Sequence, residues 1–313
     1  MCATLSAPDW VRRFEAGSAA DDGVAASGAT AAPLAPGFAP TVWFQGFGAW
    51  GNVFGNGNAA TVRTGIAGGF GGADVALDQT WRLGIVGGYS RSTLKVAARS
   101  TSGTIDNYDL GAYLGGRFGA VGLKAGVTHT WHDIAMRRTV AFPGFSEANN
   151  AGYRAATTQV FGEASYTARF DRLSVEPFAG LAYVHVGAGG ATESGVDAAL
   201  AIAPRDTDTV FSSLGLRLGG RFDPMPYLSI TPSLSFAWVH AFGDVAPSAT
   251  ASFASGSRPF AVAGAPFARD SAQIGASIDV GLGDSAVLSA TYGGQFGRGL
   301  QENTFRGRLT LRF

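Results

Sequence analysis

Phe305, Gly307, Leu309, Leu311 and Phe313 share one face of the last nine residues, while Arg306, Arg308, Thr310 and Arg312 share the other. A period of two belongs to a β-strand, whose side chains alternate between its faces. An apolar strand face with nothing following to cover it is a hazard in water, because exposed edges pair with other chains. A closed barrel in a bilayer removes the edge, setting lipid against the apolar face and water against the arginines. This one strand therefore points to an all-β membrane protein.

Composition narrows the choice. The 313 residues include 46 glycines, with 15% charged and 12% aromatic residues, unlike a soluble globular domain. No run of about 18 apolar residues offers a transmembrane helix. Formal net charge is zero, so no nucleic-acid partner is expected. Cys2 is the single cysteine, which excludes an intrachain disulfide and a cysteine-based zinc site. Met1 to Thr30 has neither the basic leader nor the apolar stretch of a signal peptide, so outer-membrane placement implies a longer precursor or an expressed fragment.

Two regions follow. In residues 1–40, Ser6-Ala7-Pro8-Asp9 precedes Trp10–Glu15, a segment long enough for about two helical turns. Residues 16–40 are mostly Ala, Gly, Ser, Asp and Pro, a linker composition. From Thr41 to Phe313 alternation recurs in twelve segments: 41–53, 60–75, 80–97, 104–119, 121–137, 154–170, 172–187, 207–223, 226–242, 267–283, 285–297 and 303–313. In 121–137, Val121, Leu123, Ala125, Val127 and Trp131 oppose Lys124, Thr128, Thr130 and His132. In 207–223, Val210, Leu214, Leu216, Leu218 and Phe222 oppose Ser213, Arg217 and Arg221. Tight turns at Gly119-Ala120, Asp171, Asp223–Pro226 and Gly283-Asp284 alternate with longer loops near 138–153, 188–206 and 243–266. Short periplasmic turns, long extracellular loops and an even strand count are the pattern of bacterial outer-membrane barrels, and they put both ends of the barrel on the periplasmic side.

Ordered blocks along 41–313 resemble the translocator domain of a type Va autotransporter. Gly71-Gly72-Ala73-Asp74 with Leu83–Ser90 is similar to that family's second and third strands, and Asn107–Tyr113 to its fourth. Phe161–Tyr166, Val175–Tyr183, Leu214-Gly215-Leu216-Arg217 and Ala237–Phe242 resemble the sixth to ninth. Phe305, Leu309, Leu311 and Phe313 resemble the family's barrel-assembly signal. The resemblance implies a 12-stranded antiparallel transmembrane β-barrel in the Gram-negative outer membrane, with residues 1–40 as the end of a passenger and a pore-threading linker with a short helix. It implies type V secretion of an N-terminal passenger to the cell surface, no cofactor, and as partners outer-membrane lipid, the passenger itself, the barrel-assembly machinery and periplasmic chaperones. Some members cut their linker at an asparagine inside the barrel. Here no asparagine precedes Asn52, and Asn149-Asn150 falls in an expected surface loop.

Lys124, Glu163, Arg169, Glu176, Arg217, Arg221, Arg306, Arg308 and Arg312 are read as lining a wet lumen. Glu163 and Glu176 offer acidic groups for self-cleavage or, more simply, an ion-pair network with the nearby arginines. His129, His132, His185 and His240 are read as polar residues near the lipid interface, with no triad evident from spacing. Gly68–Gly72 is glycine-rich but is followed by no helix, so a phosphate-binding loop is excluded. No catalytic or metal residue is assigned. Two alternatives to the translocator remain: an outer-membrane hydrolase or protease with a rim site, and a passive porin or adhesin barrel.

Overall fold

The computed structural model describes residues 40–243 and 245–313. The expected helix at residues 10–15 and the linker before Pro40 lie outside them. Twelve wall strands run in sequence: β1 Pro40–Val53, β2 Val62–Ala76, β3 Trp81–Val96, β4 Thr101–Phe118, β5 Val121–Phe142, β6 Phe145–Tyr166, β7 Leu173–Ala188, β8 Arg205–Gly220, β9 Leu228–Phe242, β10 Asp270–Leu282, β11 Ala286–Gly297 and β12 Leu300–Arg312. Each pairs antiparallel with the next, and β12 pairs back onto β1, closing a cylinder. Closure satisfies every strand edge within the wall, the condition for crossing hydrocarbon. No helix among the described residues is long and apolar enough to cross a membrane, and the strands take that role.

Alternation sets the two faces of the wall. Phe44, Ile85, Leu110, Leu181, Leu214 and Leu309 point outward and are exposed, Ile85 to 64%. Thr128, Gln159, Thr304 and Thr310 are buried on the inner side. Tyr89, Tyr108, Trp131 and Trp238 stand outward toward one rim, and Phe118, Tyr166, Phe170 and Phe222 toward the other, as interfacial aromatics do. One rim is formed by short connections, where Gly119, Asp171 and Gly283 take positive φ values of 62°, 54° and 59°. The opposite rim carries the longer connections, four segments of which form a separate sheet: Ala191–Thr192, Leu200–Ile202, Ser248–Phe253 and Phe260–Ala263.

Two expectations are corrected. The segment 138–153 is not a loop. β5 and β6 continue in unbroken register to Phe142↔Phe145, turning at Pro143-Gly144, with Gly144 at φ +85° and the two Phe rings stacked 4.8 Å apart. Asn149 is fully buried in β6, and Asn150 bridges Ser194 of the next long connection. The residues that suggested a loop are small and polar because another loop packs on them. Second, the inner face is not uniformly polar: Trp43, Phe70, Val86 and Tyr113 form a buried cluster there, joined by Phe47.

Candidate functional site

The inner wall borders a cavity of about 210 Å³ lined by, among others, Gln45, Glu176, Arg217, Gln273, Arg306 and Arg308. Its residues come from β1 and from β7 to β12, whose inward positions carry short polar or charged side chains.

Two side-chain networks brace this wall. Arg217 on β8 donates to both carboxylate oxygens of Glu163 on β6 (2.9 and 2.8 Å) and to Glu176 on β7 (2.9 Å). Its guanidinium carbon lies 3.9 Å from the centre of the Phe178 ring. Lys124 on β5 reaches to 3.9 Å from Glu163, and the Thr167 hydroxyl donates to Glu176 at 2.6 Å. Three adjacent strands, β6 to β8, are thereby tied through one guanidinium, whose planar fork suits two carboxylates at once, and Lys124 adds β5 beside Glu163. The second network joins the first strands. Trp43 Nε1 donates to the Tyr113 hydroxyl (2.9 Å), which donates to Asp74 (2.9 Å); Arg82 donates to Asp74 and to Thr41, each at 2.7 Å. Tyr113 lies so flat over β3 that a Cβ on Gly84 would stand 2.2 Å from its ring. Arg308 lies over Trp43, its guanidinium carbon 4.8 Å from the ring centre, linking β12 to this cluster.

Among the remaining charged residues assigned from sequence, Arg306 is buried opposite exposed Phe305. Arg312 is half-buried at the end of β12. Arg169 and Arg221 do not sit within the long wall strands. Arg169 is exposed on the short segment Ala168–Phe170, and Arg221 stands at the rim after β8, donating to Asp223 at 2.9 Å. The sequence extended β6 and β8 through these turns because alternation continues across short rim strands. The exposed Phe305, Leu309 and Phe313 stand on the outer side of the seam.

The histidines divide. His132 is buried inside, held by Asn107 (2.7 Å) and Thr157 (2.8 Å), so the interfacial expectation fails for it. His185 bonds Asp208 at 2.8 Å and His240 bonds Asp270 at 2.7 Å, both on the outer face beside Tyr183 and Trp238. Among the described residues neither imidazole bonds a serine hydroxyl or thiol, and no cluster of metal-ligating side chains occurs. Sequence reasoning missed the Trp43–Tyr113–Asp74–Arg82 network, since β1 carries large apolar residues on both faces.

At the loop rim, Glu147 accepts backbone N–H bonds from Val196 (3.0 Å), Asp197 (3.0 Å) and Ala198 (3.2 Å). Desolvation alone would raise the Glu147 carboxyl. The three N–H bonds and the Arg138 charge outweigh it and hold the group below its ordinary value. Arg138 in turn pairs with Glu193 of the same connection.

The model of the autotransporter beta-domain family matches residues 42–293. This chain belongs to that family. Two extracellular serine proteases of Serratia marcescens are 36% and 35% identical over 271 residues, which make up 87% of this chain and 26% of each relative. The chain therefore spans about a quarter of the length of these curated relatives. The translocator domain of NalP from Neisseria meningitidis superposes with a TM-score of 0.72 at 15% identity, each chain covered completely. The beta domain of the Bordetella autotransporter BrkA gives 0.65 at 18% identity, covering 88% of this chain and all of that one. The autotransporter beta-domain described here is an outer-membrane translocator for an N-terminal passenger at the Gram-negative cell surface, and the rim-hydrolase and porin alternatives are not favoured.

Proposed function

We propose that export runs through the cavity bounded by the two networks, with the linker within residues 1–40 threaded along it and the passenger beyond the loop rim. The observation that carries this reading is the closed cylinder itself, whose polar inner cavity is lined by Glu176, Arg217, Arg306 and Arg308. Lys124, Glu163, Arg169, Arg221 and Arg312 extend that charged lining toward the turn rim. In a wet, narrow bore such groups keep a passing backbone solvated, and small linker side chains limit steric resistance. The chain performs no catalysis of its own and needs no cofactor. An extracellular serine protease, the description its relatives carry, is the first candidate for cargo.

In this reading Phe305, Leu309, Leu311 and Phe313 form the surface that the barrel-assembly machinery recognises after periplasmic chaperones deliver the chain. The experiment compares single-channel conductance of residues 1–313 and 41–313 in planar bilayers. A marked rise on removing the first 40 residues is expected; equal conductance would overturn the threaded-linker reading.

A further inference from the structure

The register places four rows of outward side chains side by side across β2 to β6. Arg63, Lys95, Ser102, Arg137 and Asn150 form the row nearest the loop rim; Gly65, Thr93, Thr104, Ala135 and Gly152 form the next. Below them run Arg91, Asp106, Asp133 and Arg154, then the aromatic row Tyr89, Tyr108 and Trp131. The first two rows line an open trough of about 920 Å³ on the outer wall. Its floor is shallow because those side chains are glycine, threonine and alanine.

The charged rows differ in kind. In the lower one Arg91 stands 3.6 Å from Asp106 and Arg154 3.1 Å from Asp133, so it is internally compensated. In the upper one Arg63 is paired directly opposite Lys95, and Arg137 lies two strands further on. Among the described residues no carboxylate ion-pairs with Arg63, Lys95 or Arg137. Like charges facing each other across a ladder destabilise it. Three exposed cations beside a trough therefore call for an external anion.

Height above the bilayer identifies which anion. Lys95 follows Tyr89 by six residues, about 20 Å along the strand at roughly 3.3 Å per residue. With a strand tilt near 40° that sets the cationic row about 15 Å above the aromatic belt. A glycerophospholipid headgroup zone is only about 5–8 Å deep. A lipid whose phosphates are carried on a tall saccharide headgroup reaches that level.

We propose that this trough binds the phosphorylated saccharide headgroup of an outer-leaflet glycolipid, with Arg63, Lys95 and Arg137 on its phosphates and Thr93 and Thr104 facing its sugars. The site rests on the outer-membrane placement, not on the threaded linker. Each basic contact at a membrane surface strengthens binding by roughly fivefold, so three give about a hundredfold. The test is native mass spectrometry of the full chain, refolded in detergent and titrated separately with purified phosphorylated glycolipid, its enzymatically dephosphorylated form, phosphatidylglycerol and inorganic phosphate. The triple variant R63Q/K95Q/R137Q, shown folded by its heat-modifiable gel mobility, is expected to lose about a hundredfold in glycolipid affinity, whereas R258Q on a distant loop keeps it. Affinity within twofold of the parent in the triple variant would overturn the proposal. Equal binding of the dephosphorylated lipid or phosphatidylglycerol, or of inorganic phosphate as an adventitious ion only, would do the same.

Discussion

Replacing Arg217 by methionine keeps much of the side-chain volume and removes the charge that Glu163 and Glu176 share. Three hydrogen bonds of 2.8–2.9 Å and the contact with Phe178 disappear together. Breaking a fully buried ion pair costs about 3–5 kcal/mol, because the stranded partner remains desolvated. Here the side chains of Arg217, Glu163 and Glu176 retain 18%, 18% and 9% exposure toward a wet bore, and Lys124 stays near Glu163. Solvent screening lowers the expected loss to about 2 kcal/mol. At a urea slope of roughly 2 kcal/mol per molar, the unfolding midpoint falls by about 1 M. Tryptophan fluorescence of the barrel reconstituted in vesicles reads this directly. Adding E163Q and E176Q to R217M removes the stranded carboxylates and should recover more than half of the shift. An unchanged midpoint in R217M, or no recovery in the triple variant, refutes the view that one guanidinium ties β6, β7 and β8.

Three further outcomes are expected. Gly84→Ala forces the Tyr113 ring off β3, since the new methyl meets it at 2.2 Å, and should destabilise the barrel by about 1–3 kcal/mol in the same urea assay. The Glu147 contacts respond to acid. Its carboxyl is lowered in the fold, so its contribution is fully present above the unfolded value and is lost as pH falls through the folded one. Amide exchange at residues 196–198, corrected for intrinsic rates, should therefore lose protection in acid, and E147Q should flatten that dependence. Finally, Phe313→Ser, or removal of Leu311, Arg312 and Phe313, should reduce insertion of the barrel into the outer membrane before any effect on conductance; protease accessibility in whole cells measures it.

The wall was legible because a barrel repeats one simple rule twelve times. Val210, Leu214 and Phe222 against Ser213 and Arg217 need only local alternation to be read. Where both faces are apolar, as with Trp43 and Phe47 against Phe44 and Trp50, alternation gives no direction, and the inner aromatic cluster stayed hidden. Asn149, Asn150 and Gly152 looked like loop residues because local propensity does not register the connection that packs on them. The Arg217 bridge was visible in part, since its residue types fell on adjacent inward faces, but its geometry needed the register. The outer trough needed it entirely: Arg63, Lys95 and Arg137 are far apart in sequence and become neighbours only when strands are laid side by side.

The join between β1 and β12 has one more consequence. It contains thirteen residue pairs, from Thr41↔Arg312 to Val53↔Leu300, against fourteen between β1 and β2 and twelve between β11 and β12. The closing ladder is thus comparable to those flanking it, one pair shorter than β1–β2 and one pair longer than β11–β12. The shortest ladder of the wall lies elsewhere, between β8 and β9 with ten pairs, so the seam is not the line along which a finished barrel most readily unzips sideways into the bilayer. Exchange of strands at the seam itself belongs to the period before this ladder is complete.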